Sequence, residues 1–240
     1  MVCMVLPSMA ITSHCAVEDI RYEVYTGSAI GQFSSTLNYF RSYMFAEYPY
    51  LFRPANPAMY SVEQNDENVM YEASERTVIV CAFVGTKLIG CAVGMPLDEF
   101  NATDPDTNAG CYISDPNYAS FRARNPQAFY FNELLIEPMY RALVDLNQLY
   151  TRMVDALHSV FPECATICML KIDTSYDDPL RPDNYEESSL SLERLEHRLL
   201  VQQGFVQTDD MLRITWNTIQ VDGTVCMQEH PLRLWKKSLY

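Results

Sequence analysis

Cationic side chains are scarce in this 240-residue chain. Lys and Arg number 17 against 31 Asp and Glu, and the formal net charge is -14. Binding a phosphate backbone or an anionic lipid face needs clustered cations, so this balance argues against nucleic acid and membrane surfaces as partners. It suits a cationic partner such as an amine, a polyamine or a Lys-rich segment, and it equally serves plain solubility. No apolar run approaches the ~18 residues of a membrane span. No Lys or Arg precedes Arg21, so the opening MVCMVLPSMAITSHC lacks the positive n-region of a secretory signal, and the cytoplasm is the expected compartment. The phosphate-loop, dinucleotide, nucleophile-elbow and zinc-protease strings GxxxxGK[ST], GxGxxG, GxSxG and HExxH are all missing. The eight cysteines form no CxxC, and they share no zinc-ligand spacing with His14, His158, His197 or His230, so no metal is expected.

What is present suits a real core, with 48% hydrophobic and 20% charged residues. The expected fold class is α/β (α+β), a single domain with a mixed, mostly antiparallel sheet flanked by helices. Residues 1–19 read as an N-terminal arm and 20–240 as the domain. Ile20, Tyr22 and Val24 alternate as a first strand would. Phe33, Leu37, Phe40, Tyr43, Met44 and Tyr48 share one face of a helix that Pro49 and Pro54 stop. Residues 77–84 and 88–96 are two buried strands joined at Gly-Thr-Lys, and a hairpin with its loop at 85–87 sets Cys81 against Cys91, with free core thiols the default and a disulfide the alternative. Gly90 and Gly94 within the second strand signal a bulge or a close backbone neighbour. Residues 98–127, rich in Asp, Asn, Pro and Ala, read as a structureless insert, either a lid or a passive excursion.

The most informative stretch is Phe129 to Leu157. It reads as a buried strand, a tight loop over 138–142, and an amphipathic helix carrying Leu143, Leu146, Leu149, Tyr150, Met153, Val154 and Leu157. Strand, short loop and helix N-terminus together make a phosphate-binding geometry. Another strand follows at 165–172, then a DDPLRPDNY loop, a serine-led helix over 190–203 ended by Gly204, and two closing strands at 205–216 and 225–235.

This order resembles the GNAT N-acetyltransferases from about Tyr22 to Trp235. The strings that carry it are Leu134-Leu135-Ile136 before Pro138 and Tyr140-Arg141, then Pro179-Leu180-Arg181-Pro182 with Tyr185, Gly204-Phe205, Ile214-Thr215-Trp216, and the Pro231 and Trp235 tail. The resemblance implies transfer of acetyl from acetyl-CoA to a primary amine of a small molecule or peptide. It implies that the strand ending near Ile136 splays from the strand at 165–172, and that amides at Leu134, Leu135 and Ile136 grip the pantetheine arm and polarise the thioester carbonyl. Glu133 is the base that the resemblance suggests, the alternative being a Glu satisfied by a neighbour at the sheet edge. Tyr140, Arg141, Ala142, Leu143, Val144, Asp145 and Leu146 would meet the pyrophosphate. Tyr185 or Tyr176 would replace the family's thiolate-protonating Tyr, whose position here holds Leu200. Arg181 and Tyr50 are assigned to the acceptor side, and for Arg181 a salt bridge serves as well. Exposed edge strands in this fold leave room for a homodimer.

The chain departs from the family at the loop. The family keeps Gly and then Gly or Ala where this sequence has Val144 and Leu146. Glycine lets backbone amides touch phosphate and adopt φ > 0, which a β-branched Val resists. Asp145 puts a carboxylate in the first turn, where it competes with phosphate for the helix's free amides. The second reading is therefore a catalytically silent GNAT fold that binds a partner through its acidic surface, the aromatic helix at 33–50 and the insert.

Overall fold

A computed structural model describes residues 19–47, 75–100, 112–172, 191–219 and 225–240. The expectations for the N-terminal arm up to residue 18, for Tyr50, and for Tyr176, Arg181 and Tyr185 lie outside the described residues.

Eight strands form one sheet in the order β1-β2-β3-β5-β6-β8-β7-β4. They are β1 (Arg21–Thr26), β2 (Val78–Val84), β3 (Lys87–Pro96), β4 (Tyr112–Ile113), β5 (Ala128–Ile136), β6 (Thr166–Ile172), β7 (Val206–Ile219) and β8 (Val225–Ser238). The helices are α1 (Ser34–Glu47), α2 (Tyr118–Arg124), α3 (Leu146–Val160) and α4 (Leu192–Gln202). Every described pairing is antiparallel except β5 with β6. That exception follows from the connection, because α3 carries the chain back to the start of the sheet between two parallel strands.

The hairpin forms as its sequence predicts. Val84 pairs with Lys87 around Gly85, whose φ of 58° is one that glycine adopts without strain. Cys81 sits opposite Cys91, and both are buried free thiols. Gly94 shows both signals read from the sequence. The β3–β5 register shifts between Val93 and Gly94, and a Cβ there would stand 2.3 Å from the Phe129 ring.

Alternation along the strands divides the core between the two faces. Val78, Val80, Ala92, Phe131 and Leu134 pack with Leu149, Met153 and Leu157 of α3 and Leu195 and Leu199 of α4. The opposite face packs Ile79, Cys91 and Leu135 against Leu37 and Phe40 of α1. Further along that face, Tyr130, Cys168 and Leu170 lie with Tyr118 and Phe121 of α2. Each fully buried aliphatic or aromatic side chain contributes about 1.5–3 kcal/mol of transfer free energy.

Two expectations are corrected here. The stretch 98–127 is not structureless, because it holds β4 and α2. Ile113, Tyr118 and Phe121 are buried, and the Tyr118 hydroxyl donates to the Phe100 carbonyl at 3.0 Å. The Asp, Asn and Pro residues around them hide a short apolar pattern. The second correction concerns α3, which begins at Leu146 rather than beside Leu143. Leu143 is 52% exposed and lies off the buried stripe. Asp145 sets the start, since its carboxylate accepts from the Asn147 amide at 2.9 Å and caps the helix.

Candidate active site

The site is built where β5 leaves β6. The two strands pair at Ala128–Thr166, Phe129–Ile167 and Tyr130–Cys168, and no further pairs form beyond. On its other side β5 stays paired with β3 as far as Ile136, through a register shift near Glu133. From that bulge onward, β5 presents one side of its backbone to a gap.

Two gap-facing groups of β5 are engaged by side chains of the chain itself. The Glu196 carboxylate of α4 lies near enough to the Leu134 N–H for that amide to favour its charged form. The Ile136 carbonyl accepts from Arg141 Nε at 3.2 Å. Glu196 is only 17% exposed and pairs with Lys171 Nζ at 3.2 Å, while Lys171, 9% exposed, also donates to the Glu193 carbonyl at 3.1 Å. Burial pushes the Glu196 carboxyl above its ordinary range, and Lys171 and the Leu134 amide partly offset that push.

Glu133 lies on the other face of β5, beneath α1. Arg41 Nε donates to Glu133 Oε1 at 3.0 Å and Arg41 Nη2 to Oε2 at 2.8 Å, a two-pronged pair. Asn38 Oδ1 accepts from Arg41 Nη1 at 3.0 Å and fixes the guanidinium. The pair is nearly enclosed, Arg41 being 7% and Glu133 17% exposed at the side chain. A carboxylate in this setting answers to the description of a Glu satisfied by a neighbour, and taking a proton from an amine would require loosening the pair.

The loop after β5 is wound into helical turns. Pro138–Tyr140 is a 3-10 turn, and the Tyr140 carbonyl accepts from the amides of Leu143 at 2.9 Å and Val144 at 3.0 Å. The Asp145 amide donates to the Tyr22 hydroxyl at 2.7 Å. The amides of Asn147, Gln148 and Leu149 all turn to Asp145, the first to its carboxylate and the others to its carbonyl. Val144 and Leu146 point into the core, and Arg141 is buried; Pro138, Met139, Ala142, Leu143 and Asp145 are exposed. Tyr140 lies under Lys87, whose ammonium stands 5.0 Å from its ring centre. The amides that would meet a pyrophosphate are thus largely engaged within the protein. The absence of the family's two small residues is the sequence signal for this closed loop.

Sequence reasoning brings together Glu133, Leu134, Leu135, Ile136 and the loop, and the structure brings them together too. It adds Arg41, Lys171, Glu196 and Tyr22, which no motif announced. Glu196 sits one turn before Leu200, itself wholly buried. Arg122 donates to the Asp98 carbonyl and lies over Tyr118. Among the described residues no group of three or more His, Cys, Asp or Glu is placed to hold a metal ion, and no helix is long and apolar enough to cross a membrane.

No family model and no curated protein matches this sequence. Among solved structures, the chain is similar to an N-acetyltransferase from Staphylococcus aureus, with 9% identity, 92% of this chain and 99% of that one covered, and a TM-score of 0.48. It is similar to ribosomal-protein-S5-alanine acetyltransferase from Vibrio fischeri, with 13% identity, coverage of 90% and 92%, and a TM-score of 0.48. It is also similar to an aminoglycoside acetyltransferase solved with coenzyme A and kanamycin, with 12% identity, coverage of 92% and 95%, and a TM-score of 0.46. Likeness of this degree bears on neither chemistry nor substrate. The strand order and the parting of β5 from β6 are the features that the resemblance read from the sequence leads one to expect.

Proposed function

We propose that this chain is an N-acetyltransferase that takes acetyl from acetyl-CoA and passes it to a primary amine of a small molecule or peptide. The observation that carries the reading is the β5–β6 gap with the Leu134 N–H turned into it. A donor arm lying in that gap would bring its thioester carbonyl to this N–H, which stabilises negative charge developing on the oxygen as the amine attacks. The amine nitrogen forms the new bond to the acetyl carbon, the carbon–sulfur bond breaks, and the CoA thiolate leaves. The amine's proton passes to a carboxylate, for which Glu133 on the α1 face of β5 is the candidate once its pair with Arg41 loosens. The acidic surface favours a cationic acceptor.

A specific observation favours a second reading, in which the fold is kept as a silent binding module. Val144 and Leu146 are core residues, so the loop cannot open into a phosphate cradle without uncovering apolar surface. The loss of a few charge-assisted bonds at ~1.5–3 kcal/mol each would weaken donor binding by orders of magnitude.

Isothermal titration of the purified protein with acetyl-CoA separates the two. A micromolar dissociation constant supports the enzyme reading, and release of free CoA thiol is then followed across a panel of amines. No binding at millimolar acetyl-CoA would reject it in favour of the silent module.

A further inference from the structure

The two groups set against the gap-facing backbone of β5 have the polarity of an amide. Glu196 offers an acceptor to the Leu134 N–H, and Arg141 offers a donor to the Ile136 carbonyl. An extended arm containing an amide, such as pantetheine, would satisfy the same two groups with its own C=O and N–H. We propose that Glu196 and Arg141 act as an internal stand-in for such an arm, closing the gap in the free protein, and that they must leave it before an acyl-pantetheine chain can enter. The inference rests on the donor reading given above and adds its regulation.

Three observations carry it. First, Glu196 does not reach the gap by chance of length, because Lys171 of β6 holds its carboxylate at 3.2 Å and is itself fixed to the Glu193 carbonyl of the same helix at 3.1 Å. The clamp spans both sides of the parting, with Lys171 on β6 and the Leu134 amide on β5. Second, Arg141 occupies the position where the loop would offer a cation to phosphate, yet it is 6% exposed and turned back on the strand it follows. One residue thereby removes a phosphate ligand and fills a backbone acceptor. Third, the closure is made by side chains and not by strand pairing, for β5 and β6 make no ladder past Tyr130 and Cys168. Side-chain closure is reversible without any change in sheet register. Its cost to a ligand is competitive: an arm's apparent affinity is reduced by the fraction of molecules in which the gap is free.

The charges around the gap alternate. Arg41 and Glu133 lie on one face, and Glu196 and Lys171 on the other, with Glu133 close enough to Glu196 to disfavour its ionised form. Removing Glu196 relieves that repulsion and leaves Lys171 to seek water at the mouth of the gap. Removing Lys171 instead leaves Glu196 without its clamp. The two substitutions open the closure from opposite ends.

The test uses the full-length protein, with amide hydrogen exchange read residue by residue by NMR and binding read by titration with acetyl-CoA and with pantetheine. In Glu196→Ala, exchange at the Leu134 amide is expected to quicken at least tenfold while the amides of β2 paired to β3 keep their rates, and acetyl-CoA affinity is expected to rise at least tenfold. Lys171→Met serves as the second variant if Glu196→Ala does not fold, and the same two changes are expected in it. Unchanged exchange at Leu134 in a folded variant overturns the closure, whatever the affinity does. Faster exchange with no binding of either ligand leaves the closure standing and rejects the donor reading instead. Faster exchange with unchanged measurable affinity overturns the claim that the closure competes with the arm.

Discussion

Arg41 and Glu133 stand 92 residues apart in the chain and meet in a two-pronged ion pair that joins α1 to the bulged part of β5. Removing one partner of such a nearly buried pair leaves the other charge desolvated and uncompensated. Arg41→Ala is therefore expected to cost about 3 kcal/mol, read as a lowered midpoint in urea unfolding with an unchanged slope. Arg41→Lys restores the charge but not the fork, so it is expected to recover only part of the loss. A cost below about 0.5 kcal/mol for Arg41→Ala would mean that the pair behaves as an exposed one does.

Asp145 serves α3 as its N-cap, and substitution by Ala is expected to destabilise the protein by about 1 kcal/mol. The same change frees the Asn147 amide and removes a negative charge from the helix terminus. Inorganic pyrophosphate is then expected to bind more tightly to the variant than to the native chain in a titration. A stability loss without any gain in pyrophosphate binding would show that the cap is not what excludes phosphate.

Gly94 tolerates no side chain. The nearest atoms to an added Cβ are Phe129 Cε1 at 2.3 Å and the Tyr130 carbonyl oxygen at 2.9 Å, and the latter belongs to the backbone. Overpacking of this kind costs about 1–3 kcal/mol where the neighbours can shift. Gly94→Ala is expected at the upper end or beyond, with thermal unfolding as the readout. Pairing it with Phe129→Leu should return some of the loss by clearing the ring, while the carbonyl contact remains. Full recovery would show that only the ring matters.

The buried thiols should be inert. Burial, together with the nearby Glu23 carboxylate, pushes Cys81 up to about 12, and burial pushes Cys168 up to about 12. Only the thiolate reacts, so at pH 8 the native protein is expected to leave Cys81, Cys91, Cys164 and Cys168 unmodified by iodoacetamide, as judged by mass mapping. Denaturant returns these thiols to the ordinary range near 8.5, and alkylation then proceeds. Modification of Cys81 in the native state at the rate of the denatured chain would contradict the packing of β2 against α1.

Much of this fold is legible in the chain because hydrophobic periodicity is a local property. The Gly85 turn, the apolar runs of β2, β3 and β5, the Ser191 cap and the Gly204 stop each announce themselves within a few residues. The β4–α2 segment escaped because its apolar residues, Ile113, Tyr118 and Phe121, are too few to outweigh the polar residues around them. Spacing alone places the start of α3 too early, because Leu143 fits the helical period while the cap geometry at Asp145 decides against it. In the site, Glu133 and the Leu134–Ile136 strand are found by sequence order, while Arg41, Lys171 and Glu196 are not. Their partners lie tens of residues away, and charge pairing across elements leaves no periodic trace.

One consequence of the strand order concerns how the molecule yields under load. The sheet's eight strands fall into two antiparallel blocks, β1-β2-β3-β5 and β6-β8-β7-β4, and the ladder joining them is three residue pairs long. Apart from the two-pair edge ladder of β4 with β7, antiparallel pairing within each block is far more extensive, eleven pairs for β7 with β8 alone. Pulled across the strands, the protein should part along that short seam before any longer ladder yields, with only the two-pair β4 edge weaker. The two blocks would part as intact pieces, and the rupture would start at the end where the strands have already let go of each other.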